Sequence, residues 1–112
     1  MANIINRILS ISTKHLWDPD PDTSYLEAAE FEDRYRQYRN DEFGFIGIRA
    51  EAEIVVGGVC QTITSGGLWG VESDSDRSYL AEVEQEEIGQ LQSILESLGF
   101  SAATIQHHAA GI

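Results

Sequence analysis

The sequence SISTKHLW, residues 10–17, recurs in a related form as TITSGGLW, residues 62–69, at an offset of 52 positions. Further along the chain, DPDTSYL at residues 20–26 aligns with DSDRSYL at residues 74–80, at an offset of 54 positions. Each copy runs from a Ser/Thr/Ile segment through Leu-Trp and an acidic loop into Ser-Tyr-Leu. The repeat therefore predicts that one supersecondary unit is built twice.

The clearest strand signal covers residues 45–56, FIGIRAEAEIVV. Apolar and polar residues alternate in it, which predicts one buried and one solvated face. Gly57-Gly58 is a two-residue hairpin signal, so residues 59–65 are predicted to return as the next strand. Residues 5–11 fit either a helix or a strand with Ile5, Leu9 and Ile11 on one face, and the repeat favours the strand because their counterpart is rich in β-branched residues. The predicted buried face comprises Ile46, Ile48, Ala50, Ala52, Ile54 and Val56.

A helix is predicted after each acidic loop. The first covers residues 24–40, because Ser24 and Glu27 match a capping box. The second has an apolar stripe over residues 80–98 and stops at the glycine that follows. Gly89 within it lowers helix propensity and is predicted to allow a close approach to the sheet. A final strand is predicted over residues 102–106.

These elements predict an α+β fold with the order βαββαβ, a ferredoxin-like sandwich in which a pseudo-twofold axis relates the two βαβ units. If the last strand is absent, the same elements give a three-stranded βαββα domain. A chain of 112 residues can bury one core. We therefore expect a single domain over residues 1–106, made of pseudo-repeats at about 1–56 and 57–106, and a flexible tail over residues 107–112.

The charge is strongly and unevenly negative. The chain has 19 acidic and 7 basic residues, a net charge of -12, and Arg77 is the only Arg or Lys after residue 50. Such a field opposes direct binding to nucleic acid or to an anionic membrane and favours a basic protein partner. Cys60 is the single cysteine, so no intramolecular disulfide can form. We expect a cytoplasmic protein, monomeric or homodimeric, without a membrane span.

The acidic loops resemble calcium loops in one respect, because Asp18, Asp20 and Asp22, like Glu72, Asp74 and Asp76, supply oxygen donors at every second residue. Neither loop has the glycine and the bidentate glutamate of an EF-hand. Turn formation and helix capping explain the pattern better. The sequence predicts no catalytic residue, no metal site and no cofactor.

The two tryptophans occupy equivalent positions of the repeat. Trp17 and Trp69 are predicted to pack against the core, each in a cluster with the Tyr-Leu pair of its own copy, Tyr25-Leu26 or Tyr79-Leu80. The alternative is that Trp69 is exposed among carboxylates and anchors a basic partner. The sequence alone leaves both interpretations open.

The segment GGLWGVESDSDRSYL, residues 66–80, with the acidic helix up to residue 100, resembles a segment of small, uncharacterised acidic proteins of phages and prophages. The resemblance brings no established active residues. In size and charge the chain is similar to anti-restriction and anti-CRISPR inhibitors, whose carboxylates occupy nucleic-acid-binding sites.

The expected function is therefore a non-enzymatic inhibitor that presents carboxylates to the basic site of a nucleic-acid-handling protein. Two alternatives stay open: a small-ligand-binding or regulatory domain with a pocket near the tryptophans, and a hydrolase that uses aspartate pairs on a divalent ion. The residues expected to bind the partner are Asp74, Asp76, Glu82, Glu84, Glu86 and Glu87 in one patch, Asp18, Asp20 and Asp22 in a second, and Trp69.

Overall fold

A computed structural model describes residues 6–110 of the chain. Its elements, in chain order, are β1 (Arg7–Trp17), α1 (Glu32–Arg39), β2 (Phe45–Val56), β3 (Val59–Thr64), β4 (Leu68–Glu72), α2 (Arg77–Ser97) and α3 (Ala102–Ala109). Two short 3₁₀ turns, Ser24–Glu27 and Ala29–Phe31, precede α1.

The strands form a four-stranded antiparallel sheet, so the predicted α+β class is confirmed. The central strand is β2, which pairs with β1 along one edge over Trp17↔Ile46 to Arg7↔Val55. Along its other edge β2 pairs first with β4 and then with β3, both antiparallel. The Gly57-Gly58 turn joins β2 to β3 as predicted, and both glycines have positive φ, as a type I′ hairpin turn requires.

The two copies of the repeat flank β2 at matching positions. Ser10 and Thr62 both pair with Glu53, and Ile11 and Ile63 both pair with Ala52. Beyond this point the copies differ, because β1 continues without a break to Trp17 while the second copy is interrupted after β3. The repeat therefore describes two edges that share one central strand.

The ferredoxin-like order βαββαβ is not confirmed. A βαβ unit joins parallel strands by a crossover, whereas β1 and β2 are antiparallel neighbours. The predicted final strand is also wrong, since residues 102–109 form α3 and Ser101 caps it by accepting the backbone N–H of Thr104 at 3.2 Å. The observed order is βαβββαα, with β3 and β4 along one edge of β2, so the three-stranded βαββα alternative is not confirmed either.

The main core lies between the sheet and α2. The predicted alternation in β2 is confirmed for its middle, since its residues from Ile46 to Ile54 at even positions are buried and the side chains of α2 pack on them. At its ends the pattern differs, because Val56 is only partly buried while Phe45 and Gly47, on the opposite face, are buried. The prediction for Gly89 is wrong: it is exposed, with no neighbouring group within 4 Å of where a Cβ would stand. The residues of α2 that face the sheet are Val83, Glu87, Ile88, Leu91 and Leu95.

A second, smaller core lies where β2 begins. Leu26, Phe43 and Phe45 are buried there, with aromatic residues of α1 packed around them. The predicted continuous helix over residues 24–40 is wrong in its first half, because Ala28 has an extended backbone that separates two 3₁₀ turns. Only the second half forms α1.

The ends of the described chain also differ from expectation. Ile8 and Ile11 face the core, and a register irregularity between Ile8 and Ser10 turns Leu9 to the surface. Ile5, predicted on the same face, lies outside the described residues. Residues 107–109 continue α3 instead of starting a tail, and residues 111–112 lie outside the described range.

Candidate acidic interface

The outer side of α2 carries the carboxylates that remain at the surface. Glu82 and Glu86 are exposed, and they lie one turn apart because their positions in the helix differ by four. The residues that follow them, Val83 and Glu87, face the sheet. Asp76 is exposed at the N-cap position of the helix, and its side chain makes no capping hydrogen bond. These three residues are called the α2 acidic face below.

Glu87 is not part of that face. It is only 3% exposed, and one of its oxygens accepts hydrogen bonds from the hydroxyl of Ser65 at 2.7 Å and from the backbone N–H of Gly67 at 2.8 Å. Its other oxygen accepts a longer bond from Gln90 at 3.3 Å. Glu87 was expected to bind a partner, but its carboxylate is buried and joins α2 to the sheet, so it is not part of the exposed surface.

Asp74 lies at the surface but is paired. Arg34 of α1 donates to both of its oxygens, at 2.7 and 2.9 Å, and also to Glu72 at 2.8 Å. The hydrogen bonds and charge of Arg34 hold the pKa of Asp74 below its ordinary value. Partial burial and a 2.6 Å hydrogen bond donated to Glu72 raise the pKa of the Tyr25 phenol. This group fastens the α1 region to the end of β4.

Glu84 is also engaged within the protein. Its Oε1 lies 2.8 Å from Nε2 of His15 on β1. The six carboxylates of the predicted first patch thus fall into three groups. Asp76, Glu82 and Glu86 are exposed, Asp74 and Glu84 are paired with Arg34 and His15, and Glu87 is buried.

In the second predicted patch, Asp18 and Asp22 accept hydrogen bonds from nearby backbone and hold the loop in turns. One oxygen of Asp18 accepts the backbone N–H of Gly70 on β4 at 3.0 Å, and the other accepts that of Asp20 at 3.0 Å. Asp22 accepts both the backbone N–H and the hydroxyl of Ser24, at 3.0 and 2.6 Å. The hydroxyl bond is the larger cause that lowers the pKa of Asp22. Asp20 is exposed, so this segment contributes negative charge at the surface and holds its own backbone.

The tryptophans are not equivalent. Trp69 packs over Gly47, where a Cβ would overlap its ring, and its indole N–H donates to the carbonyl of Gly66 at 3.3 Å. It stays 41% exposed, whereas Trp17 is 75% exposed. The prediction of two equivalent Trp/Tyr/Leu clusters is wrong: Leu26 is buried in the aromatic core, while Leu80 is half-buried beside Ile46 and Ile48.

A notch of about 260 Å³ lies beside Trp17. Its lining consists of Trp17, Asp41, Glu42, Phe43, Gly44 and Ser73. The ring of Trp17 lies against Gly44, where a Cβ would come within 2.9 Å of it. No sequence motif singled out residues 41–44. The available signal was the acidic pair Asp41-Glu42 directly before the apolar strand.

Other features of the described residues are simpler. Cys60 lies on β3, as predicted, and is exposed. Within residues 6–110, no group of three or more His, Cys, Asp or Glu side chains is placed to hold a metal ion. No helix in that range is both long enough and apolar enough to cross a membrane.

Comparisons of the chain with protein-family models, with curated proteins and with solved structures find no match.

Proposed function

We propose that this chain is a non-enzymatic, acidic protein-binding domain of the phage-inhibitor type, which occupies a basic nucleic-acid-binding site of its partner. The observation that carries the proposal is the α2 acidic face. Glu82 and Glu86 are exposed about 6 Å apart along the helix axis, so their charges lie close together on one surface, as the phosphates of a nucleic-acid strand do. Exposed carboxylates at this spacing suit a surface that otherwise receives phosphates.

The rest of the charge distribution supports the same partner chemistry. The acidic excess of 12 residues is spread over a small chain, and two of its arginines are paired with carboxylates of the same chain: Arg34 with Glu72 and Asp74, and Arg36 with Asp33. The field beyond the surface is therefore negative. Such a field speeds association with a cationic site and makes the complex sensitive to salt.

The test is capture of nucleic-acid-binding proteins from a bacterial host, followed by measurement of affinity for the purified partner. The expected complex weakens steeply with ionic strength and is displaced by competing DNA. A variant with a neutral α2 acidic face, Asp76→Asn/Glu82→Gln/Glu86→Gln, should bind at least about tenfold more weakly. A tenfold loss of affinity corresponds to about 1.4 kcal/mol of binding free energy, which is a modest loss for three charge contacts.

The matched control removes the same number of charges elsewhere. Glu27 and Glu30 in the 3₁₀ turns before α1 and Glu32 at its start are exposed, and their conversion to glutamine reduces the negative charge by the same three units. We expect this control to bind within about twofold of the parent, because long-range charge alone affects the association rate modestly at physiological salt. Equal losses in both variants, or binding that DNA does not displace, would contradict the proposal.

A domain that binds a small ligand beside the tryptophans is the second candidate, and the notch at Trp17 is the observation that favours it. Its binding should respond little to salt, unlike an electrostatic protein complex. The salt series described above therefore separates the two functions.

A further inference from the structure

The exposed ring of Trp17 is unexplained by folding. Trp17 ends β1, pairs with Ile46 at the start of β2, and leaves 75% of its surface in solvent. Its ring touches Gly44 on one side, and the notch opens beside it. A large aromatic side chain that contributes little to the core is typical of an anchor for a binding partner.

The side chains that line the notch favour a cationic ligand. Two of its lining residues, Asp41 and Glu42, carry negative charge, and among the described residues that line it none is basic. One guanidinium, that of Arg34, contacts a lining residue and lies 3.6 Å from the centre of the Phe43 ring. That charge is already shared by two carboxylates, Glu72 and Asp74, so it does not reverse the local sign.

The walls of the notch are fixed before any ligand arrives. Gly44 donates its N–H to the hydroxyl of Ser73 at 2.9 Å, and the N–H of Ser73 donates to the carbonyl of Gly44 at 2.8 Å. Asp41 has a φ of 58°, and the bonds from Asp41 and Glu42 back to the carbonyls of Tyr38 and Gln37 close α1 in a Schellman motif. A pre-formed site loses less conformational entropy on binding.

We propose that this notch binds a basic side chain of the partner protein, an arginine or a lysine, held against the Trp17 ring and neutralised by Asp41 and Glu42. The inference rests on the proposed function and names the contact at one end of the interface. A cation is attracted to the face of a tryptophan ring, and carboxylates beside it add charge-assisted hydrogen bonds. The notch, of about 260 Å³, has room for a single side chain.

Trp69 provides a control within the same molecule. Its ring is packed on Gly47, and its indole N–H donates a hydrogen bond to the carbonyl of Gly66. The Trp69 ring is therefore engaged in contacts within the chain and is less exposed than that of Trp17, at 41% against 75%, so a cation should prefer Trp17.

The experiment follows the two indole N–H signals in ¹H–¹⁵N NMR spectra of the full chain, with the Trp17 signal assigned by its loss in Trp17→Phe. The probes are N-acetyl-arginine amide and N-acetyl-lysine amide at constant ionic strength, and N-acetyl-citrulline amide is the neutral control. We expect a saturable shift of the Trp17 signal with the two cations only, while the Trp69 signal stays in place. In Asp41→Asn/Glu42→Gln the affinity for the cations should fall by about three- to tenfold.

Several results would overturn the inference: no saturable shift of Trp17, an equal shift with citrulline, an equal shift of Trp69, or unchanged affinity in the double variant. Response to the neutral probe alone would instead indicate a small-ligand site. Glu82→Gln/Glu86→Gln should leave the titration unchanged. The two proposals can thus fail separately, because loss of partner binding through the α2 acidic face does not affect the probes, and a silent notch leaves the partner assay intact.

Discussion

The hydroxyl of Ser65 donates a hydrogen bond to the carboxylate of Glu87, 2.7 Å away, in the buried gap between β3 and β4. The same hydroxyl oxygen accepts the backbone N–H of Ala50 at 2.9 Å, and the carbonyl of Ala50 accepts the N–H of Ser65 at 2.9 Å. Gly67 adds its N–H to the same carboxylate. The centre of β2, the interrupted edge and α2 are therefore joined at one point.

Replacing Glu87 with Ala should lower the free energy of unfolding by about 2 to 3 kcal/mol, because the Ser65 hydroxyl and the Gly67 N–H lose a charged acceptor in a desolvated place. Denaturant melts measure this directly. Glu86→Ala is the matched control, one residue away on the exposed side, and should change stability by less than about 0.5 kcal/mol. Similar values for the two variants would show that the bonds at Glu87 contribute nothing.

Leu26→Ala should cost about 2 to 5 kcal/mol, since Leu26 is only 1% exposed and its removal leaves a cavity in the aromatic core. Leu80→Ala, at the equivalent position of the repeat, should cost less because Leu80 is half-buried. Chemical denaturation of both variants checks the order. A larger loss for Leu80 would mean that the α1 region is loosely attached to the sheet.

The ion pair of Asp74 with Arg34 should stabilise the fold in a pH-dependent way. The pKa of Asp74 is lower in the folded protein than its ordinary value of 3.8, so the stabilisation is fully present above that value and is lost as the pH falls through the folded pKa. The difference in unfolding free energy between the parent and Arg34→Gln should therefore shrink below pH 3.8. Melts at neutral and at acidic pH test this, and a difference that stays constant would mean that Asp74 is not stabilised by Arg34.

Two substitutions at Asp41 should separate the backbone from the carboxylate. Asp41→Gly relieves the left-handed conformation and should leave stability unchanged or raise it by up to about 1 kcal/mol. Asp41→Ala keeps the strained φ and should destabilise by about 1 kcal/mol. Both remove the same charge, so both should weaken cation binding at Trp17 equally. Thermal melts together with the indole titration distinguish the two effects.

The parts of the fold that depend on local pattern could be predicted from the sequence. The alternation in β2 and the turn at Gly57-Gly58 need no information beyond their own residues, and the same holds for most of α2. The first helix could not be predicted in full, because Asp22 forms a turn with Ser24 and Ala28 then takes an extended backbone. The expectation of a repeated βαβ unit also concealed the capping signal of Ser101.

The site was predicted less well, because burial depends on what lies opposite a residue. Glu87 lies four residues from both Val83 and Leu91, a spacing that places it on the inner side of α2. It was nevertheless predicted to be exposed, because glutamate is charged. Trp17 and Trp69 read alike in the sequence. What separates them is Gly47 beneath one ring and the notch beside the other, and both come from distant segments.

The shared use of β2 by both copies of the repeat means that neither half of the chain holds a complete sheet. Residues 57–110 carry β3, β4, α2 and α3 without the strand to which their edge is bonded, and residues 6–56 carry β2 without the helix that covers it. We expect the two fragments, divided in the Gly57-Gly58 turn, to be unfolded separately and to reassemble when mixed. The two fragments would then behave as a split protein, and their reassembly would show that they had been brought close together.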